Sequence, residues 1–157
     1  MAEDTIAAIA TASGSGGVAV GRLSGAAAAD IASRMFAPTG KKTVREFVPY
    51  RLYPGIISAE HFTDYGLCVL FRAPHSYTGE DVVELHCHGG TQIARGILKK
   101  AFSLGARPAE AGEFTKRAFL NGKLTLAAAG GSAAMMNATS ERMRRAGDVR
   151  DCKEPSD

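Results

Sequence analysis

Residues 71–90 read FRAPHSYTGEDVVELHCHGG, and within them Glu84, His86 and His88 alternate with Val83, Leu85 and Cys87. On a strand, this alternation sends the three polar side chains to one face and the three apolar ones to the other. A His-x-His pair with a carboxylate two residues earlier could ligate zinc. No third or fourth ligand is signposted, because His61 and His75 fall in turn-rich segments, so the spacing favours a hydrogen-bonded polar face over a metal site. A second dense block, PAEAGEFTKRAFLNGKL (108–124), sets acids and bases beside an Asn-Gly turn. Packing alone does not call for polar residues in such concentration, and the two blocks together suggest a polar binding site.

Three charged residues suit recognition of a small anionic molecule. Arg22 closes the apolar run GVAVGRL, and its rigid fork matches carboxylates bidentately. Glu84 lies mid-strand and could accept paired hydrogen bonds from an amino-pyrimidine edge. Lys123 follows the Asn121-Gly122 turn, where a long side chain can reach across a cleft. Internal ion pairing, for instance Glu84 with Arg22, accounts for the same residues equally well, and spacing leaves both readings open. No nucleophile constellation stands out: Ser76 lacks a G-x-S-x-G elbow. The chain also contains no G-x-x-x-x-G-K-[ST], so it has no P-loop for a nucleoside triphosphate.

The elements that must position these residues follow from periodicity and punctuation. Segments 5–11 and 17–23 read as strands separated by a glycine-rich loop. Ser24 is placed to cap a helix over 26–36, with Ala27, Ile31 and Met35 on one face. The chain then breaks at 38–42. Strands are expected at 47–53, 66–71 and 81–88, followed by a helix over 92–102. In that helix Ile93, Ile97, Leu98, Ala101 and Phe102 make an apolar stripe, and Arg95, Lys99 and Lys100 face water. Two strands, a helix, three strands and a helix argue for an α+β domain, with helices on one side of a mostly antiparallel sheet.

Composition sets the outer bounds. The 157 residues suffice for one domain with one core, and 45% hydrophobic with 22% charged residues is the balance of a soluble globular protein. No apolar run approaches a bilayer span, and the acidic start MAEDTIAAIA is unlike a secretory leader, so the expectation is no membrane and a cytoplasmic location. Cys68, Cys87 and Cys152 lack CxxC spacing, and the first two are expected to be buried as reduced, small hydrophobes. The net charge of +3 falls short of a dedicated basic patch. Beyond Leu124 come alanines, the Gly130-Gly131 pair and a charged end, read as a frayed tail. The Asn137-Ala138-Thr139 sequon in it is read as accidental.

The segments DTIAAIAT (4–11), GGVAVGRLSG (16–25), APHSYTGEDVVELHCHGG (73–90) and GARPAEAGEFTKRAFLNGKL (105–124) closely resemble the N-terminal domain of the MnmE/TrmE family, the tRNA-modifying GTPases of bacteria and organelles. A weaker echo lies at NATSER (137–142). The resemblance implies a β2-α-β3-α fold, similar to the tetrahydrofolate-binding domains of one-carbon enzymes. It also implies a homodimer with 5-formyl-tetrahydrofolate bound between two such units. The complete proteins work with a flavin-dependent partner to place an aminomethyl-type group on carbon 5 of a wobble uridine in tRNA. By matching motif positions, the folate contacts fall on Arg22, Glu84 and Lys123.

Two departures from the family pattern stand out. Where the family has Pro-Pro-Gly-Arg-Gly-Gly after its first strand, this chain has Ala12-Ser13-Gly14-Ser15-Gly16-Gly17. Past Lys123 the family's Leu-Asp-Leu is Leu124-Thr125-Leu126 here, and the expectation is a domain truncated before the family's helical and GTPase domains. The expected organisation is a folate-binding and dimerisation domain over 1–124, then a remnant of the helical domain with a polar tail over 125–157. The alternatives are a dimerisation module that does not bind folate, or a non-functional truncated fragment.

Overall fold

A computed structural model describes residues 4–10, 17–88 and 90–123. The loop at 12–16, the segment from 124 onward, its sequon and Cys152 lie outside the described residues. Within them the strands are β1 (Ile6–Ile9), β2 (Val18–Ser24), β3 (Phe36–Pro38), β4 (Leu52–Ser58), β5 (Thr63–Phe71), β6 (Val82–His88) and β7 (Arg107–Pro108). The helices are α1 (Ala28–Met35), α2 (Thr91–Ser103) and α3 (Glu113–Leu120). The strands join in one sheet of order β3-β4-β5-β6-β2-β1-β7. Every pairing is antiparallel except β1 with β7. The α+β class with a mostly antiparallel sheet stands.

The strict alternation of residues 82–88 produces the strand it predicts. Val83, Leu85 and Cys87 are buried, while Glu84 and His86 are half-buried and His88 is exposed. The buried set shares one core with Leu23 of β2, Leu70 of β5, Ile31 and Met35 of α1, and Ala94, Ile97 and Ala101 of α2. α1 and α2 therefore cover the Leu23 face. Arg22, the neighbour of Leu23 on an extended strand, must point to the opposite face. Ile6, paired with Ser24, and Val69, paired with Glu84, share that face by register and are buried on it, as is Val82. The third helix lies there: the Phe114 ring of α3 sits 5.4 Å from the Arg22 guanidinium carbon. Helices thus flank both faces, where two on one side were expected.

Several expected elements move. The strand expected at 47–53 gives way to a loop that follows a single 3₁₀ turn (Val44–Glu46), and β4 begins only at Leu52. A reciprocal capping box causes the turn: the Thr43 side chain accepts from the third turn residue's N–H, and the Thr43 N–H donates to Glu46 Oε1 at 2.9 Å. Ser24 is the last residue of β2 and caps nothing; the N–H of Ala27, at the start of α1, donates to Thr5 Oγ1 at 2.9 Å. α3 and β7 were not foreseen. Cys68 and Cys87 are free and buried, and burial raises their thiol pKa values to about 12 and about 11. Among the described residues no helix is long and apolar enough to cross a membrane.

Gly66 exists for close packing. A Cβ there would stand 2.3 Å from the His86 carbonyl oxygen and 2.8 Å from Ile57 Cδ1. A Cβ on Gly21 would meet nothing within 4 Å. Gly66→Ala is therefore expected to forfeit about 2 kcal/mol by forcing β5 away from β6, whereas Gly21→Ala should stay within about 0.5 kcal/mol of the parent. Urea unfolding of the two variants checks the contrast.

Candidate functional site

Antiparallel pairing of β2 with β6 sets Arg22 directly opposite Glu84. Their side chains close an ion pair: Arg22 Nη2 lies 2.9 Å and Nε 3.0 Å from Glu84 Oε2. The remaining carboxylate oxygen, Oε1, is 3.2 Å from His86 Nε2. The two charged side chains retain 9% and 16% of their exposure, so the pair is largely withdrawn from water. Burial pushes the Glu84 carboxyl pKa up, but the His86 hydrogen bond and the Arg22 charge together outweigh it and hold the group below the ordinary carboxylate value. The result is an ionised carboxylate at neutral pH, fixed from two sides on a sheet face.

Lys123, the third residue, is not part of this pair. It is exposed just past α3, its backbone N–H donates to Ala118 O at 2.8 Å, and its stem lies against Gly79. Its place depends on a network that spacing did not reveal. Ser24 Oγ donates to Glu80 Oε1 and lies within hydrogen-bond distance of Thr78 Oγ1, both at 2.7 Å. Arg117 of α3, 4% exposed, reaches Glu80 at 3.1 and 3.2 Å and Glu113 at 3.2 Å. Asn121 Nδ2 donates to Thr78 O at 2.7 Å, which ties the end of α3 to the 76–80 turn. The signal for α3 was present as Phe114 and Ala118 four apart, between Gly112 and the Asn121-Gly122 stop.

His88, the last residue of the polar alternation, turns outward to Asp64, with Nδ1 2.9 Å from Oδ1. His61 and His75 sit in loops. Among the described residues no three His, Cys, Asp or Glu side chains are grouped to hold a metal ion. What the arrangement offers chemically is recognition: a fixed anion able to accept N–H groups, beside a guanidinium and with an ammonium on the adjoining turn.

The comparisons agree with the sequence pattern. The family described as GTP-binding protein TrmE N-terminus matches residues 5–123. The tRNA modification GTPase MnmE of Symbiobacterium thermophilum is 44% identical over 144 residues, covering 90% of this chain and 32% of that protein. The proteins of that name from Bordetella parapertussis and Clostridioides difficile are 47% identical over 144 residues and 46% over 128, covering 31% and 28% of their lengths. The chain spans about a third of the length of the curated relatives it matches.

Two predictions follow from the ion pair. Arg22→Met or Glu84→Met alone leaves an uncompensated buried charge and should cost about 3 kcal/mol, whereas the double variant should recover most of that; a double-mutant cycle in urea measures the coupling. The second concerns pH. Because the folded Glu84 pKa lies below 4.5, the native state binds fewer protons than the unfolded chain near and below that pH. Its contribution is complete above pH 4.5 and is lost as pH falls through the folded pKa. Glu84→Gln, less stable at pH 7, should therefore show a shallower fall in urea midpoint between pH 5 and 3, to be read against the parent.

Proposed function

The chain belongs to the GTP-binding protein TrmE N-terminus family, and from that premise we propose that it binds a reduced folate, 5-formyl-tetrahydrofolate, and dimerises. It would do so as the folate-handling part of a tRNA-modifying GTPase that acts on carbon 5 of a wobble uridine. The observation that carries this reading is the Arg22–Glu84 pair, which sets an ionised carboxylate on the less covered face of the sheet. The 2-amino group and neighbouring ring N–H of a pterin offer two parallel donors, and a carboxylate accepts two such bonds more strongly than a neutral acceptor does. Glu84 takes that role. Arg22 keeps the carboxylate charged and oriented, and Lys123 at the rim suits the anionic glutamate tail. With no P-loop sequence, this chain would not hydrolyse GTP.

Dimerisation is supported by the same face. Val18, Leu52, Ile56 and Tyr65 share the Arg22–Glu84 side by register and are exposed, Val18 by 60% and Tyr65 by 53%. A second copy laid across them would bury apolar surface and enclose the carboxylate. The closed geometry of the pair favours one rival reading. Arg22 and Glu84 satisfy each other, as a purely structural pair would, so the domain could serve dimerisation without folate.

Calorimetry with 5-formyl-tetrahydrofolate, on protein whose mass is set by light scattering, separates the two. Binding to a dimer is expected. The Arg22→Met/Glu84→Met variant, folded as judged by circular dichroism, should bind at least about 100-fold more weakly, since two charge-assisted bonds of roughly 1.5–3 kcal/mol each are removed. Lys123→Ala should cost about tenfold or less, as befits an exposed charge. Undiminished affinity in the double variant sinks the assignment of Glu84, and a dimer that takes up no folate favours the rival.

A further inference from the structure

The two oxygens of Glu84 are held unequally. Oε2 faces two guanidinium nitrogens of Arg22, with Nε donating at 3.0 Å and Nη2 at 2.9 Å. Oε1 faces one ring nitrogen, His86 Nε2, at 3.2 Å. An ionised carboxylate can only accept, so Nε2 carries the proton of that bond. His86 is the looser partner on three counts. Its contact is the longest of the three, and its side chain keeps 26% of its exposure against 9% for Arg22. It also makes no other side-chain hydrogen bond or ion pair among the described residues. Arg22, by contrast, is further fixed by the Phe114 ring of α3 at 5.4 Å.

The strands on either side offer the imidazole little else. β2 sets Val20 opposite His86, with Arg22 two residues along on the same face. β5 sets Leu67 opposite it, with Tyr65 two residues along. On β6 itself the neighbours on that face are Glu84 and His88, and His88 is taken up by Asp64 at 2.9 Å. The residues directly across from His86 are therefore apolar, and the carboxylate that its ring meets is Glu84.

A pterin edge presents its 2-amino group and ring N–H as two parallel donors, which need an acceptor position on each carboxylate oxygen. Arg22 supplies the charge that keeps Glu84 ionised, so displacing it would weaken the acceptor itself. We propose that His86 is a displaceable plug on this site: it holds Glu84 Oε1, and a ligand with two adjacent N–H donors must take that position from it. Protonation sets how firmly the plug sits. A neutral imidazole gives Oε1 an ordinary hydrogen bond, an imidazolium adds a full charge, and histidine changes charge in the physiological pH range. Ligand affinity therefore falls on acidification through His86. Glu84 stays ionised meanwhile, because the His86 hydrogen bond and Arg22 outweigh burial and hold its carboxyl below the ordinary range. This regulation rests on the folate reading of Glu84, in which His86 otherwise has no part.

The test is calorimetry of the full chain with 5-formyl-tetrahydrofolate at pH 6 and pH 8, with circular dichroism checking the fold at both. The parent's affinity should fall about tenfold from pH 8 to pH 6, within what one linked proton allows. His86→Ala should abolish that fall and bind about tenfold more tightly than the parent at pH 6. His86→Gln keeps a neutral donor beside Oε1, so it should be equally flat with pH, near the parent's affinity at pH 8. His61, His75 and His88 remain in both variants, so any pH dependence of theirs would persist. A parent that binds equally at both pH values, a variant that retains the parent's fall, or an alanine variant no tighter than the parent at pH 6 overturns the plug and leaves the folate reading standing. No binding by parent or variants at either pH removes the folate reading and the plug together. Binding by the alanine variant alone supports both.

Discussion

The register that places Arg22 opposite Glu84 is the constraint on which the rest of this fold depends. The β2–β6 ladder runs through seven residue pairs, from Val18 with His88 to Ser24 with Val82. Side chains alternate with a period of two, so a slip of one residue would turn Glu84 into the core beside Leu23 and bring Leu85 and Cys87 outward. A carboxylate placed in that apolar core without partners would cost more than a small domain can spare. In the observed register Glu84 has two partners and Arg22 has a carboxylate above an aromatic ring. The charged pair thus adds little net stability but heavily penalises the alternative registers.

How much of this was legible depends on whether the signal was local. The strict alternation in β6, the apolar run of β2 and the apolar stripe of α2 needed no knowledge of distant residues, and they appear within a residue or two of expectation. The Arg22–Glu84 contact was readable as one of two possibilities, because both residues interrupt apolar runs. The region around 47–58 misled for a physical reason. The run FVPYRLY is rich in β-forming residues, but Pro49 lacks a ladder donor and Thr43 with Glu46 offers a competing local turn. LYPGIIS looks like a turn because of Pro54-Gly55, yet it pairs along its whole length with β5. Gly55 is needed there because a Cβ would stand 2.4 Å from Ala37 O. Cross-strand packing overrode local propensity.

Lys123 illustrates the remaining gap. Nothing in its neighbourhood of sequence says where a residue after an Asn-Gly turn will stand. Its position follows from contacts of long range: Ser24 with Glu80, Glu80 with Arg117, and Asn121 with Thr78. Arg117 is buried between Glu80 and Glu113, and Glu113 is also held by Arg107 at 2.7 Å. Burial alone would push the Glu113 carboxyl pKa up; Arg107 and Arg117 are among the groups that bring it below the ordinary value instead. Glu113 thus ties β7 to α3 through Arg107 and Arg117, and Arg117 carries the link on to Glu80 in the 76–80 turn. Since Ser24 lies two residues beyond Arg22 on the same face of β2, the network begins beside the Arg22–Glu84 pair and ends at the turn on which Lys123 rests. Arg22, Glu84 and the backbone that carries Lys123, far apart in the chain, are thereby joined by hydrogen bonds that only the folded chain can make.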